Sequence, residues 1–259
     1  MQEIRIHDVE SWFNYEIRKH PSFLLFDILP TNFLIPSETY ARSLLGNWDQ
    51  GLKILDIGCG DALDSITIAA SSNKVWAIDI ALNRLALAHQ NVEQVEMSSR
   101  VLPLCMDAHY LSFPNDYFDL IVGNSVLLFL DRPRFAKECY RVLKPGSHAL
   151  FPNESMKKHP LLLIRRALSG VRVRESVANR ITLRDIDEIS KQFDHVNHRE
   201  FYLISVLLAP LIMRFGNQKL VSRVTNSVYG IDDFILRALP QLRDLCWISV
   251  IDLWKRSNR

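Results

Sequence analysis

No stretch of this 259-residue chain stays apolar over the roughly 18 residues that a bilayer-crossing helix needs. The longest apolar segment, FYLISVLLAPLIMRF at 201–215, is interrupted by Pro210. Cysteine is scarce. Cys59, Cys105, Cys139 and Cys246 show no C-x-x-C spacing, which argues against a zinc centre and against a disulfide framework. A reduced, cytoplasmic setting is the simplest expectation, with no metal. An excess of one charge is also missing: 31 basic against 29 acidic side chains, a net charge of +2, leave no electrostatic footprint for nucleic acid. The opening residues MQEIRIHDVE are charged and lack an apolar core, so no signal peptide is expected. The length suits one large domain, or one domain with an appendage.

What is present begins with KILDIGCGDA at 53–62 and VWAIDI at 75–80. An apolar run of strand length (Ile54, Leu55, Ile57) stops at Gly58 and Gly60, and a helix-compatible segment from Asp64 to Ala70 follows. A second apolar strand then ends on Asp79. Glycines here let the chain turn sharply and let a ligand approach the backbone. The helix opening presents unpaired N–H groups. A carboxylate at the tip of the second strand is where an acidic residue holds the hydroxyls of a ribose. The unit therefore reads as a holder of a nucleoside-containing cofactor. Leu63 occupies the third position of G-x-G-x-x-G, which speaks against a nicotinamide dinucleotide. Asp56, at the end of the first strand, is placed to bond turn amides or to orient the cofactor's polar end through water.

The same alternation continues. VLPLC (101–105) predicts a third strand before Met106-Asp107-Ala108, and Phe118, Leu120, Ile121 and Val122 form the buried run of a fourth. Asp131 caps a helix with Pro133 in its first turn, and Pro145-Gly146 stop that helix before a fifth strand, Ser147 to Phe151. Strands alternating with helices predict an α/β fold with a doubly wound, mostly parallel sheet and ligands at the carboxyl ends of its strands.

LDIGCG with a downstream acid, M-D-A after strand three, F-D-L-I-V in strand four and R-V-L-K-P-G before strand five resemble class I S-adenosylmethionine-dependent methyltransferases over residues 53–151. The order N-E-S-M-K-K-H-P-L, I-T-L-R-D-I and L-R-D-L-C-W-I-S-V-I-D-L in the tail is similar to the methyltransferase type 11 group. The sequence departs from the family at Ala62, where a third glycine is usual; a slightly reshaped turn is expected there.

The resemblance implies a seven-stranded Rossmann-like methyltransferase sheet and S-adenosyl-L-methionine as cofactor, with S-adenosyl-L-homocysteine as product. It implies that Gly58, Cys59 and Gly60 contact the methionine part through backbone groups, that Asp79 takes the ribose hydroxyls, and that Ile80 packs on adenine. Asp107 would accept from the adenine amino group and the backbone of Ala108 would meet a ring nitrogen, while Asn124 and Ser125 would line the methionine end. Each has a plainer alternative: Asp107 as a helix cap, Cys59 as a turn filler, Asn124 as a turn residue.

The chain is read as one domain over 1–259: a helical cap at 1–50, a cofactor-binding core at 51–152, and an acceptor-side region at 153–259. A second helix of the cap starts at Pro36-Ser37. Thr182 caps a helix holding Ile186, Ile189 and Phe193; strand six runs from Phe193 to Leu203 and strand seven from Cys246 to Trp254. Between these strands, helices at 205–222 and from Asp232 to Leu239 form an insertion at about 205–243. Its apolar residues 201–215 face an acceptor pocket, a second copy in a homodimer, or a membrane surface. Lys157, Lys158, Arg165, Arg166, Arg172 and Arg174 form either a solvated face or a rim attracting a phosphate, a carboxylate or an anionic membrane.

The expected reaction is in-line displacement at the sulfonium methyl by an oxygen, nitrogen or carbon nucleophile of a small, partly apolar acceptor in a biosynthetic pathway. His159 is the first choice for a general base and Glu154 the second, with Asn124 orienting the nucleophile, or no base is used. The competing reading is a cofactor-binding partner protein of the same fold whose reaction is lost or altered.

Overall fold

The computed structural model describes residues 35–45, 51–71, 73–163, 179–208 and 218–257. The expected first cap helix, the residues 209–217 of the apolar segment, and Arg165, Arg166, Arg172 and Arg174 lie outside them.

Helix α1 (Ile35–Leu45) precedes strand β1 (Lys53–Ile57), α2 (Leu63–Ala69), β2 (Lys74–Asp79), α3 (Leu82–Gln94) and β3 (Val101–Cys105). Strand β4 (Phe118–Val122), α4 (Arg132–Val142), β5 (Leu143–Ser155), α5 (Leu183–Ser190), β6 (His195–Phe201), α6 (Gln218–Ala238) and β7 (Ile248–Trp254) complete the regular elements. The seven strands form one sheet in the order β3-β2-β1-β4-β5-β7-β6. Its first five members pair in parallel, and β7 runs antiparallel between β5 and β6. The chain steps outward from β1 to β3 and then returns to the other side of β1. That reversal opens a crevice at the carboxyl ends of β1 and β4, the place where open α/β sheets bind ligands.

Period-two alternation sorts the strands' side chains between two layers. Leu55, Ile57, Trp76, Ile78, Phe151 and Ile251 pack with α4 and α5, while Ile54, Val75, Ala77 and Leu120 pack with α2 and α3. A further cluster under α1 joins Leu150, Phe201, Tyr202, Trp247 and Val250.

Both predicted caps form. The Asp131 side chain accepts from the Arg134 N–H, and Thr182 with Asp185 closes a reciprocal capping box. Two expectations are corrected. Strand β5 starts at Leu143, because Leu143 already pairs with Phe118, and Pro145-Gly146 lie in the register shift that follows rather than before the strand. Between β6 and β7, one helix runs unbroken from Gln218 to Ala238 through Gly230, flanked by single 3-10 turns at Ser205–Leu208 and Pro240–Leu245. A glycine costs a helix only about 1 kcal/mol, which packing of α6 against α1, β6 and the turns outweighs.

Candidate functional site

The turn after β1 carries three left-handed residues in alternation: Gly58 at φ +69°, Gly60 at +56° and Ala62 at +63°. Only the first two are glycines. Ala62 is fully buried and holds a left-handed conformation that strains a residue with a Cβ, at the position where the resemblance leads one to expect a third glycine. A Cβ on Gly58 would lie 2.7 Å from Val126 Cγ2, whereas one on Gly60 would meet nothing within 4 Å. Gly58 thus lets β1 and the segment after β4 approach closely, and Gly60 faces open space.

The turn's amides are committed to the protein. Gly58 and Cys59 both donate to the Ile78 carbonyl, at 2.8 and 3.0 Å, and Gly60 donates to Asp79 Oδ2 at 3.0 Å. Backbone contact with a ligand therefore falls to carbonyl oxygens and to the open face of Gly60. Asp79 also accepts from the Ala81 N–H at 2.8 Å, which fixes its carboxylate at the tip of β2. Ile80 beside it is 69% exposed, an apolar side chain left in the open next to a fixed carboxylate.

Asp56 lies elsewhere than expected. Its side chain points into the α2 layer, 3% exposed, and accepts from the Ser65 hydroxyl. Burial pushes its carboxyl up to about 7 against the lowering effect of that bond. It braces α2 on β1, and among the described residues it bonds no turn amide. Cys59 is buried, and burial pushes its thiol far up, as suits a turn filler rather than a reactive group.

At the end of β3, Asp107 Oδ1 accepts from the backbone N–H of His109 at 2.9 Å and from His109 Nδ1 at 2.6 Å. These bonds, the backbone one foremost, hold the carboxyl below its ordinary value. His109 Nε2 accepts from the Asp131 N–H at 2.9 Å, so one ring ties the loop after β3 to the loop before α4. The tautomer with its proton on Nδ1 satisfies both contacts. Ala108 is buried beneath this corner.

The segment after β4 is held from below. Asn124 is exposed and its amide donates to Asp64 Oδ2 at 3.1 Å. Ser125 adopts φ +54° and its hydroxyl donates to the carbonyl of Asn153, itself at φ +59°. Glu154, fully buried in β5, accepts from the N–H groups of Val126 (2.9 Å) and Leu127 (3.2 Å). Burial raises its carboxyl to about 8, outweighing both donors.

The two residues expected as general bases, His159 and Glu154, are both enclosed. His159 is 2% exposed; its Nδ1 accepts from the Leu161 N–H and its Nε2 faces the Leu203 carbonyl, each at 3.2 Å. Its ring meets Trp247 edge-on, and burial lowers its pKa. The Leu203 segment is gripped by Asp232 of α6, whose buried carboxylate accepts from the N–H groups of Leu203, Ile204 and Ser205 and from the Ser205 hydroxyl. Both base candidates are thus buried and hydrogen-bonded within the fold. Of the apolar segment, Phe201, Tyr202 and Val206 belong to the core, and Ile204 and Leu207 are exposed.

Sequence reasoning missed Gly123 and Val126. A Cβ on Gly123 would come within 3.2 Å of the Ile57 carbonyl and of Phe151, so only glycine fits where β4 ends. The small residue closing the apolar run at 118–122 was the available signal.

Residues 55–151 match the family described as a methyltransferase domain. A demethylmenaquinone methyltransferase from Lactiplantibacillus plantarum is 31% identical over 113 residues, 42% of this chain and 48% of the relative. A phosphatidylethanolamine N-methyltransferase from Cereibacter sphaeroides is 29% identical over 122 residues, 46% of this chain and 60% of the relative. The match thus spans about half the length of these curated relatives. Among solved structures, phosphoethanolamine N-methyltransferase 2 from Haemonchus contortus in complex with S-adenosyl-L-methionine superposes with a TM-score of 0.59 at 20% identity, covering 86% of this chain and 53% of that one. Motifs, sheet order and family match coincide on the same stretch: residues 55–151 are similar to the methyltransferase domain family, on a sheet of the order β3-β2-β1-β4-β5-β7-β6.

Proposed function

We propose that this chain binds S-adenosylmethionine in the crevice at the ends of β1, β2 and β3 and transfers its methyl group to a small, partly apolar acceptor. The observation that carries the reading is the convergence of the open face of Gly60, the fixed carboxylate of Asp79, exposed Ile80 and the ionised Asp107 along one edge of the sheet. The residues suit the group. Asp79 would accept from the ribose hydroxyls, Ile80 would cover one face of adenine, and Asp107 Oδ2, which bonds no described residue, would accept from the adenine amino group. Glycine carbonyls, with Asn124 and Ser125, would meet the ammonium and carboxylate of the methionine end.

When bound, the cofactor supplies a methyl group already activated by a positive sulfur. The chain's tasks are then alignment and exclusion of water. Glu154 serves the first, since it fixes the two amides after β4 and through them the loop that borders the acceptor. With both base candidates committed to the fold, the acceptor's own nucleophile reacts without a dedicated base. Quinone precursors and phospholipid headgroups are the acceptors in the names of the relatives, and they support an acceptor with an apolar part.

Calorimetric titration with S-adenosylhomocysteine tests the reading directly. Asp79→Ala should weaken binding by about 1.5–3 kcal/mol, the range for hydrogen bonds to a charged group. Unchanged affinity in a folded Asp79→Ala protein would overturn the ribose assignment, and preference for NADH would overturn the cofactor.

A further inference from the structure

Three cations from three separate segments meet in one cleft on the β4–β5 side of the crevice. Arg132 opens α4, Lys157 follows β5, and Arg180 precedes α5; with Phe129, Asp131 and Asp185 they line a space of about 350 Å³. The arrangement is fixed by backbone pairing. The Lys157 N–H donates to the Ile181 carbonyl at 2.7 Å, the Ile181 N–H donates to the Ser155 carbonyl at 3.1 Å, and Met156 bridges to Ile181. Lys157 and Arg180 therefore sit on neighbouring extended segments. The Arg132 guanidinium is held by Asp185 Oδ1 at 2.7 Å and by the Asn179 carbonyl, while its Nε is buried without a partner among the described residues.

The two acids in the cleft leave the three cations with a surplus of one positive charge. Asp185 uses Oδ1 on Arg132 and Oδ2 on the N–H and hydroxyl of Thr182, and Asp131 Oδ1 caps α4. Lys157 has no ion pair among the described residues, whereas its neighbour Lys158 is bound to Asp244. Lys157 is thus a half-buried ammonium beside two guanidinium groups, and a like charge in a concave, partly desolvated space favours the approach of an anion. Phe129, 76% exposed at the lip, adds an apolar surface beside the charge.

We propose that this cleft holds an oxyanion, a phosphate or a carboxylate, carried by the methyl acceptor, with Phe129 covering an apolar part of the same molecule. The inference rests on the proposed methyl transfer, because the cleft is formed by the loops after β4 and β5 that border the acceptor. It narrows the acceptor class to anionic molecules.

The test uses the full chain saturated with S-adenosylhomocysteine, titrated with inorganic phosphate and separately with acetate. Saturable binding of either anion is expected, weakened about tenfold in Lys157→Gln, the loss for one charged hydrogen-bond donor. Lys158→Gln, outside the cleft, should bind the anion as the parent does. No saturable binding of either anion, or equal losses in the two variants, overturns the proposal. Co-sedimentation with vesicles of phosphatidylglycerol in phosphatidylcholine separates the sources: sedimentation that depends on Lys157 assigns the oxyanion to a lipid headgroup, and anion binding without sedimentation assigns it to a soluble acceptor. Loss of S-adenosylhomocysteine binding in the parent protein would instead strike the methyltransferase reading, so the two failures are distinguishable.

Discussion

The two halves of the sheet use carboxylates in opposite ways. Around β1–β3, Asp79 and Asp107 stand at strand tips, partly exposed, anchored by neighbouring amides with one edge turned outward. Around β5–β7, Glu154, Glu200, Asp232 and Asp252 are buried and fully engaged inside the protein. Glu200 takes the Ser249 hydroxyl and His198 Nδ1, and Asp252 takes His148 Nδ1 and the Trp254 indole N–H. Under the proposed function the first set would offer charge to a ligand. The second uses hydrogen bonds to set the shape of loops and of the antiparallel edge. The contrast is one of depth: the rim carboxylates are held at strand tips by backbone N–H groups, whereas the buried ones, Asp56 in β1 included, tie elements together inside the protein.

Gly58→Ala breaks the comparison most severely, because Gly58 is where the halves touch. The substitution adds left-handed strain of about 1–2 kcal/mol and drives a methyl to 2.7 Å from Val126 Cγ2, an overpacking that costs about 1–3 kcal/mol more. Gly60→Ala adds only the strain, since its Cβ enters open space. Chemical denaturation should rank Gly58→Ala as clearly the less stable, while Gly60→Ala should lose affinity for S-adenosylhomocysteine without comparable unfolding. Equal stability of the two variants would show that Val126 yields and that the halves are not wedged together there.

This division also marks what could be read in the sequence. The order of the strands through β5, the caps Asp131 and Thr182, and the positions of Gly58, Gly60 and Asp79 follow from local spacing, because turns, caps and strand tips are fixed by residues a few places apart. His159 and Glu154 looked equally informative, yet their partners lie 44 and 28 residues away, and no periodicity encodes such pairings. The helix through Gly230 was hidden for the same reason: its support comes from α1 and the 3-10 turns, while local propensity argued for a break. Of the cleft cations only Lys157 stood inside the basic run with its two readings, solvated face and anion rim; Arg132 and Arg180 join it through pairings such as that of Lys157 with Ile181, which no local spacing encodes.

A titration sharpens the contrast between rim and brace. Glu154 has its folded pKa raised from 4.5 to about 8, so between those values the native protein holds a proton that the unfolded chain releases. Its stabilising share is complete below 4.5 and is lost as pH rises through 8. Stability measured in urea should therefore fall across this window, with a slope of at most about 1.4 kcal/mol per pH unit for each such group. Asp56, raised to about 7, acts in the same direction, while Asp107, lowered, acts in the opposite one and loses its contribution as pH falls. Glu154→Gln should flatten the upper part of the slope, between about 7 and 8, where Asp56 no longer contributes. An unchanged profile there would mean that the two amide donors keep Glu154 ionised and that it differs from Asp79 only in depth.

The smallest effect is expected at Ala62, where the chain departs from the glycine pattern of the family it resembles. Glycine would remove left-handed strain of about 1–2 kcal/mol and would lose a buried methyl worth about 0.8 kcal/mol. It would also loosen the unfolded chain by about 0.4–1 kcal/mol. The gains and losses nearly cancel, so Ala62→Gly should change stability by less than about 1 kcal/mol in either direction. The turn already holds φ +63° with alanine in place, and the amides of Gly58, Cys59 and Gly60 are bonded independently of that side chain. Affinity for S-adenosylhomocysteine should accordingly stay within about twofold of the parent, a difference of roughly 0.4 kcal/mol. A larger gain in affinity would mean that Ala62 strains the cofactor turn away from its best geometry, and that the rim half gives up binding strength at the one position where it lacks a glycine.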